Sequence, residues 1–486
     1  MSAPEIVAVC HAATARLAAG APAAAAALIA PALRRFPADP NLLYVSGNCA
    51  LAAGDEEAAV SAYRRSVAAA PTFVAALANL GFVLRCRQAI AEARDVLRRA
   101  VSLEPTHAVA WINLASCYVN EGEPAAGEAV AREALMHHPG NAVLRWNLAL
   151  LLLEQGQWRE GWREYRQRFD TPVVARPAGV AGLRRLAALE DVVAGHTVLC
   201  HGEQGLGDEL LFAGVLAEFV TAVGQRGGRV TLAPNPRLAG VFRRSFSLPH
   251  WNPGSGPNAA AEAAAPDWVV GIGDLPGFFR NDDRSFPQCR GYLTVDAAAV
   301  AVIRSRLAAA APGRPLVGIA WRGGSAYTHA VHRTIPLADW LPLLHRDAVF
   351  VSLAYHDAAA ELATVRDAHG ISILDLAEIT RAADYERTCE LVAALDLVIT
   401  VPTSVLHVAG GVGTDCWVVM DERAAWRETS RDAGLPWYPL THTRFVRPRT
   451  DPDWRATIAR VAAEFATRLV KQVAEHQNLA GAPPTW

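Results

Sequence analysis

The chain has 486 residues, of which 52% are hydrophobic and 19% are charged, and its net charge at pH 7 is −2. This composition provides enough apolar side chains for two to four folded domains and argues against a largely disordered protein. Because basic and acidic residues nearly balance, the sequence has no electrostatic footprint for nucleic acid.

The sequence also lacks several features that would mark an exported or membrane protein. Residues 1–20 have neither the basic start nor the apolar core of a secretory signal, and no apolar run is long enough to span a bilayer. The eight cysteines are scattered and form no C-x-x-C pair, which argues against structural zinc and against a disulfide framework. We therefore expect a cytoplasmic protein without a membrane span.

The first third of the chain repeats with a period of 34 residues. Prolines recur at this spacing: Pro37, Pro71, Pro105 and Pro139. Glycines keep the same phase, with Gln88 in one slot: Gly20, Gly54, Gly122 and Gly156. This period is typical of tetratricopeptide repeats, so we predict an α-helical solenoid over residues 1–170, followed by a linker or docking segment at residues 171–194. The alternative is an alanine-rich helical domain without repeats.

Three asparagines are also 34 residues apart, at Asn79, Asn113 and Asn147. Each precedes a packed position of its repeat and can reach the concave groove. A ladder of such amides can pair with the backbone of an extended peptide, which makes these asparagines candidate peptide-binding residues. The alternative is that each amide only satisfies local backbone groups.

A different pattern begins at residue 195. An apolar run at residues 196–201 predicts a buried strand, which enters the loop GEQGLGD at residues 202–208 and then a helix to about residue 223. Free N–H groups and the helix dipole face such a loop, so Gly205 and Gly207 are candidate phosphate-binding residues. With further predicted strands at 229–233 and 268–272, residues 195–312 form an open α/β domain.

Residues 313–450 predict a second α/β domain. Its strands are expected at 316–321, 349–353, 371–375, 397–401 and 416–420, the last of these closing the domain. Thr403 and Ser404 stand at a predicted helix start with His407 one turn later, where they can present donors to an anion. Two such domains in series form a cleft at the carboxyl ends of their strands. Residues 451–486 predict a C-terminal helix, from about 454 to 477, and a tail.

Five segments of this part resemble bacterial repeat-containing glycosyltransferases, whose catalytic part is similar to the lipopolysaccharide heptosyltransferase family. The segments are GEQGLGD at 202–208, AWRGG at 320–324, HRTIPL at 332–337, DLVITVPTSVLHVAG at 396–410 and PWYP at 436–439. The overall plan resembles the O-linked N-acetylglucosamine transferases. The resemblance implies a GT-B fold of two Rossmann-like domains, with the donor nucleotide held mainly by the second. It also implies an inverting transfer without metal or cofactor.

The resemblance also implies roles for single residues. Asp208 matches the proposed catalytic base; the alternative is that it caps the following helix, and His201 and Glu203 are reserve candidates for the base. Arg322 and Arg333 match residues that contact donor phosphate, with solvated surface arginines as the alternative.

The donor side of the cleft has further candidates. Thr403, Ser404 and His407 match the phosphate-facing helix start, although His407 is alternatively a packed core histidine. Ser352 and Tyr355 end a predicted strand where a nucleoside base can lie. A Trp-Arg pair common in the family is matched at 426–427, where structural packing is the favoured role.

One position departs from the family. Heptosyltransferases usually carry Asp directly before the Thr/Ser pair, where this chain has Pro402. A proline side chain can neither contact the donor sugar through a carboxylate nor order the loop through one, which suggests a donor other than heptose.

The leading hypothesis is a glycosyltransferase that modifies a hydroxyl of a protein captured by the repeats. Bacterial relatives of this layout are associated with surface-appendage proteins such as flagellins, so these are candidate acceptors. The expected partners are a nucleotide sugar and the acceptor protein, with self-association of the repeats as a further option. The alternatives are an inactive scaffold with a degenerate GT-B region, and a transferase with a glycolipid acceptor.

Overall fold

The computed structural model describes residues 3–121, 123–172, 174, 177–246, 250–251, 266–323, 333–422, 426–427, 435–448, 450–451 and 453–480. Gly122, Gly324 and His332, which belong to the sequence motifs above, lie outside these residues. The chain forms two compact units: Met1–Gln155 with Arg163–Val173, and Gly156–Trp162 with Val174–Trp486.

The first unit is a stack of helical hairpins. Its helices are Ala3–Ala18, Pro22–Arg35, Pro40–Ala52, Glu56–Ala69, Val74–Cys86, Ile90–Leu103, Ala108–Glu121, Pro124–His137 and Ala142–Glu154. Each packs against the next, and the first helices of successive hairpins also contact one another. A further helix, Trp158–Tyr165, has its residues up to Trp162 in the second unit and continues into a 3-10 turn at Arg166–Asp170. The helical repeat array predicted from the 34-residue period is confirmed.

The repeat glycines have two structural roles. Between helices, Gly20, Gly54 and Gly156 adopt φ values of 73°, 81° and 71°, the left-handed region that glycine enters without steric cost. Gln88 occupies the same slot with φ 62°, so the turn geometry is kept even where the side chain disfavours it. Inside a hairpin, a Cβ at Gly47 would lie 2.5 Å from the ring of a tyrosine on the facing helix, which explains the small residue at that repeat position.

The second unit contains two parallel sheets. The first has the order β3-β2-β1-β4, and the second has the order β10-β9-β8-β5-β6-β7. The strands of the first are β1 Thr197–His201, β2 Arg229–Ala233, β3 His250–Trp251 and β4 Trp268–Gly271. The strands of the second are β5 Leu316–Ala320, β6 Val349–Ser352, β7 Ile373–Asp375, β8 Leu397–Thr400, β9 Cys416–Asp421 and β10 His442–Arg447. In each sheet the first strand is central, the order found in doubly wound α/β domains.

The helices of the second unit cover these sheets. They are Leu206–Ala213, Leu216–Gln225, Ala239–Ser245, Pro276–Phe279, Ala297–Ala308, Leu341–Leu344, Ala359–His369, Ala377–Thr380, Glu386–Ala393, Ser404–Val412 and Arg455–Ala480. The last helix packs on the second sheet, where Phe465 contacts the rings of Phe350 and Trp417. Among the described residues, no helix combines the length and apolarity needed to cross a membrane.

Three elements differ from the sequence prediction. Strand β9 does not close the second sheet, because β10 pairs in parallel beside it. The short strand β3, which pairs with β2, was also missed. The helix predicted from 209 to 223 begins earlier and breaks at Gly214, where a Cβ would lie 3.1 Å from the ring of Tyr292.

The segment at residues 171–194 contributes to the second unit through its later part. The amide of Leu186 donates to the carbonyl of Val269 at 2.9 Å, and the amide of Val269 donates to Arg184 at 2.8 Å. Val180 is fully buried and packs with Leu199 of β1. These residues therefore run along the edge of the first sheet.

Candidate functional site

The two segments selected from the sequence for phosphate binding lie together in the second unit. Residues 202–208 follow β1, and residues 403–407 follow β8 at the start of helix Ser404–Val412. A Cβ at Gly207 would lie 3.1 Å from the His407 ring and 3.4 Å from Cα of Ser404. We call the region where residues 202–208 meet residues 403–407 the crevice.

Asp208 stands on the first wall of the crevice. It lies in the first turn of helix Leu206–Ala213, whose N-cap is Gly205, and no side chain caps that helix. The carboxylate instead forms an ion pair with Arg427, and both side chains are about one-fifth exposed, at 21% and 20%. Asp208 is therefore held by its ion pair with Arg427 and does not cap the helix.

Arg427 connects further parts of the same wall. Its guanidinium donates to Oε1 of Gln204 at 3.3 Å and lies 4.8 Å from the ring centre of Trp426. Gln204 has a φ of 62°, which is unusual for a residue other than glycine, and such backbone strain is concentrated at functional loops. Trp426 is buried, and Arg427 additionally pairs with Asp208, so this pair contacts the glycine loop besides the packing role predicted for it.

The reserve candidates for the base, His201 and Glu203, are buried at the end of strand β1 and just after it. His201 is 2% exposed, and its Nδ1 lies 3.0 Å from the carbonyl oxygen of Gly202. Glu203 is 9% exposed and accepts a hydrogen bond from the amide of Gly273 at 2.9 Å. Across the described parts of the chain, no group of three or more His, Cys, Asp or Glu side chains is arranged to hold a metal ion.

Glu209 is a buried residue that the sequence analysis did not select. It directly follows Asp208 but is only 3% exposed, and its carboxylate accepts a hydrogen bond from the amide of Asn235 at 2.7 Å. Gly202 leaves the space that this carboxylate fills. Burial, together with the nearby Glu203 charge, raises the pKa of Glu209 to about 8. The residue therefore braces the glycine loop in its protonated form at neutral pH.

This burial predicts a pH dependence of stability. Because the pKa of Glu209 is raised to about 8 in the folded protein, the folded state binds this proton more tightly than the unfolded chain does. The free energy of unfolding should therefore decrease as pH rises from about 5 to about 8, and Glu209→Gln should flatten this decrease. Denaturant unfolding of both proteins across this range measures it, and identical slopes would contradict the assignment.

The opposite wall is formed by the helix start after β8. Thr403 is the N-cap, and its hydroxyl accepts a hydrogen bond from the amide of Val405 at 3.2 Å. The hydroxyl of Ser404 lies 2.6 Å from the hydroxyl of the buried Tyr385. The loop after the neighbouring strand β5 is in contact, since a Cβ at Gly323 would lie 2.7 Å from the carbonyl oxygen of Pro402. Strands β5 and β8 are the point where the strand order reverses, the usual ligand position in such sheets.

The two candidate arginines differ in their surroundings. Arg322 pairs with Glu361 at 3.0 Å, and its side chain is 48% exposed. Arg333 is partly buried, and its charge is among those that disfavour protonation of His407. The Arg333 side chain forms no hydrogen bond or ion pair within the part of the chain that the structure describes. Arg333 is therefore better placed than Arg322 to meet an anion in the crevice.

His407 is both packed and part of the crevice. Its side chain is 5% exposed, and its Nδ1 lies 3.3 Å from the hydroxyl of Tyr438. Burial, followed by the charges of Arg427, His442 and Arg333, lowers the pKa of His407 to about 3. The imidazole is therefore neutral at physiological pH.

Among the described residues, Ser352 and Tyr355 form no hydrogen bond or ion pair with residues 202–208 or 403–407. Ser352 ends β6 fully buried, with its hydroxyl accepting from the amide of Ala354 at 3.4 Å. Tyr355 is 51% exposed and packs edge-on against His356. Their role in binding a nucleoside base stays a prediction.

The asparagine amides form hydrogen bonds within the helical array. Asn113 and Asn147 are only 5% and 6% exposed. The amide of Asn147 donates to Ser116 at 3.1 Å, that of Asn79 donates to Asn48 at 2.9 Å, and that of Asn113 donates one turn back along its own helix at 3.0 Å. The amides of Asn79 and Asn147 thus contact a neighbouring repeat and that of Asn113 contacts its own helix, while their pairing with a bound peptide stays a prediction.

Comparison with known proteins gives one sequence relative. No protein-family profile matches the chain. Protein FlbA of Caulobacter vibrioides is 32% identical over 321 residues, which are 63% of this chain and 52% of FlbA. The chain thus spans about half the length of the curated relative that it matches.

Solved structures resemble the chain over about a third of its length. TTC0263, a thermophilic tetratricopeptide protein of Thermus thermophilus, has 25% identity and a TM-score of 0.29, covering 34% of this chain and 91% of its own. YrrB, described as a tetratricopeptide protein with an unusual peptide-binding site, has 18% identity and a TM-score of 0.30, covering 33% of this chain and 84% of its own.

Proposed function

We propose that this protein is a glycosyltransferase that moves a sugar from a nucleotide-sugar donor to a hydroxyl group of a protein. The observation that supports it most is the crevice itself. Two parallel, doubly wound sheets in one compact unit bring a glycine loop and a helix start together at their carboxyl ends. This is the arrangement expected of two Rossmann-like domains in a GT-B fold, and ligands of such sheets bind at that position.

The donor phosphates are proposed to bind the wall formed by residues 403–407. The positive end of the helix dipole favours an anion at the start of helix Ser404–Val412. Arg333 adds a cation on the same side. These groups would stabilise the negative charge that develops on the departing diphosphate.

Asp208 on the opposite wall is proposed as the base. Its carboxylate would take the proton of the acceptor hydroxyl while the hydroxyl oxygen attacks the anomeric carbon. The bond from that carbon to the phosphate oxygen breaks, and its electron pair leaves with the nucleoside diphosphate. Attack from the face opposite the leaving group inverts the configuration. Arg427, paired with Asp208, holds the carboxylate in place.

The helical array is proposed to capture the acceptor protein. Stacked helical hairpins form extended concave surfaces that bind other chains. Since the asparagine amides also form hydrogen bonds within the array, recognition would depend on other groove residues as well. A flagellin or another surface protein, modified in the cytoplasm, is the candidate acceptor suggested by the resemblance.

Transfer of labelled sugar from a panel of nucleotide sugars to candidate acceptor proteins tests the proposal. Gly207→Val should abolish transfer, because its side chain would enter the space next to His407 and Ser404. Gly224→Val is the matched control, since a Cβ at this helical glycine meets nothing within 4 Å. No transfer by the wild type with any donor, or equal transfer by both variants, would refute the proposal.

A non-catalytic scaffold is the second candidate. Two observations favour it: Pro402 replaces an acidic residue of the resembled family, and the guanidinium of Arg322 is already paired with Glu361. Isothermal titration calorimetry separates the two functions. A scaffold should bind no nucleotide sugar, or bind one with an affinity that Thr403→Ala and His407→Ala leave unchanged.

A further inference from the structure

A series of three packed side chains, Tyr292, Tyr438 and His407, links the two walls behind the crevice. The hydroxyl of Tyr292 bonds to the carbonyl oxygen of Leu210, on the Asp208 helix. Tyr292 lies 3.4 Å from the hydroxyl of Tyr438, and Tyr438 lies 3.3 Å from Nδ1 of His407. We call Tyr292 and Tyr438 the tyrosine pair.

The carbonyl oxygen of Leu210, at one end of this series, determines which group donates and which accepts in each of its hydrogen bonds. A carbonyl oxygen only accepts, so the single hydroxyl proton of Tyr292 is used on Leu210. The bond between the two hydroxyls then requires Tyr438 to donate to Tyr292. With its own proton used, Tyr438 can only accept from His407, and Nδ1 of the imidazole must carry the hydrogen.

His407 is therefore held in one tautomer. Burial keeps its ring neutral, with a pKa lowered to about 3, and burial also raises the pKa of both hydroxyls of the tyrosine pair, so these stay protonated. A neutral imidazole has one N–H group, and here it is at Nδ1. Nε2 keeps a lone pair. The ring edge containing Cδ2, which is bonded to Nε2, faces Gly207 in the crevice.

We propose that the tyrosine pair makes His407 a hydrogen-bond acceptor, whose Nε2 binds a hydroxyl group of the donor sugar and not a phosphate oxygen. This rests on the proposed function. A phosphate oxygen is itself an acceptor, so placing it against the Nε2 lone pair leaves both without a proton to share. A sugar hydroxyl supplies the missing hydrogen. The phosphates are then left to the helix N–H groups and Arg333.

The inference assigns positioning roles to Tyr292 and Tyr438 and a specificity role to His407. A buried acceptor that loses its donor carries a desolvation cost, so a donor sugar lacking the facing hydroxyl should bind less well. The tyrosine rings fill space as phenylalanine would. Only their hydroxyl groups determine the tautomer. Replacing these tyrosines by phenylalanine therefore tests the tautomer while the packing is kept.

The test is nitrogen NMR of the full chain labelled with 15N-histidine. Long-range 15N–1H spectra near neutral pH distinguish a protonated from an unprotonated ring nitrogen, and His407 is assigned from the signals lost in His407→Gln. We expect a protonated Nδ1 and an unprotonated Nε2, both without ligand and with inorganic pyrophosphate. A hydrogen on Nε2 in either state would overturn the inference, and its appearance with pyrophosphate would make His407 a phosphate ligand.

Two phenylalanine variants test the donor and acceptor roles in this series of hydrogen bonds. In Tyr292→Phe, Tyr438 loses its acceptor and can donate to Nδ1, so the proton of His407 should move to Nε2. In Tyr438→Phe, neither tautomer is held and both should be populated. Tyr385→Phe is the control, because its hydroxyl bonds to Ser404 and not to His407. An unchanged tautomer in Tyr292→Phe and Tyr438→Phe would refute the positioning role, and since no substrate is needed, the result is independent of the transfer assay.

Discussion

Replacing Asp208 by asparagine should lower the rate of sugar transfer by about 10²- to 10⁴-fold. The amide keeps the size of the side chain but cannot take the proton from the acceptor hydroxyl. Because the donor phosphates are proposed to bind the opposite wall, the KM for the nucleotide sugar should change little. Steady-state kinetics with the labelled donor separates the two effects, since loss of a group used in the transition state appears in kcat.

Arg427→Gln is the matched control for Asp208. It removes the same ion pair but leaves the carboxylate, so transfer should fall less than in Asp208→Asn. If both variants lose activity equally, the ion pair and not proton transfer explains Asp208. If Asp208→Asn keeps wild-type activity, the base lies elsewhere.

Replacing Trp162 by alanine should destabilise the second unit by about 3–5 kcal/mol, the usual cost of removing a buried aromatic side chain. Trp162 is 2% exposed, its indole N–H donates to the carbonyl of Arg280 at 2.8 Å, and its ring packs edge-on against Trp426 and Trp437 at 5.5 and 6.2 Å. Denaturant unfolding monitored by hydrogen exchange in strands β1 and β8 measures the loss.

Trp162→Ala should also weaken the ion pair between Arg427 and Asp208 at the crevice. Trp426 directly precedes Arg427, the partner of Asp208, so loss of its packing partner should loosen that ion pair. Trp162→Phe is the conservative control, since it keeps most of the ring contact and loses only the indole hydrogen bond. Unchanged protection of both strands in Trp162→Ala would show that the cluster does not stabilise this unit.

The sequence predicts most elements of this fold because their signals are local. The helical hairpins follow from residues in the same phase of a 34-residue period, and the buried strands follow from short apolar runs. The sequence does not predict strand β10 because His442–Arg447 has only two apolar residues, Phe445 and Val446, and is largely half-buried at a sheet edge. The small residue at Gly214 is explained by Tyr292, whose ring is close only in the folded chain.

The candidate site also contains residues that the sequence selects and residues that it does not. Asp208, Thr403 and His407 are selected as candidates because they lie in the segments that follow two predicted strands, where α/β sheets bind ligands, and because these segments match the resembled family. Glu209 and the tyrosine pair are not, since their roles depend on contacts between distant segments. The asparagine ladder shows the limit of periodicity: a repeat gives the spacing of Asn79, Asn113 and Asn147 but not which groups their amides contact.

A crystal structure of the full chain with a bound nucleotide sugar tests the central claim most directly. We predict the diphosphate at the N–H groups of residues 403–407, with the anomeric carbon between this helix start and the carboxylate of Asp208. A nucleotide bound at any other surface, or an anomeric carbon on the far side of the helix from Asp208, would contradict it.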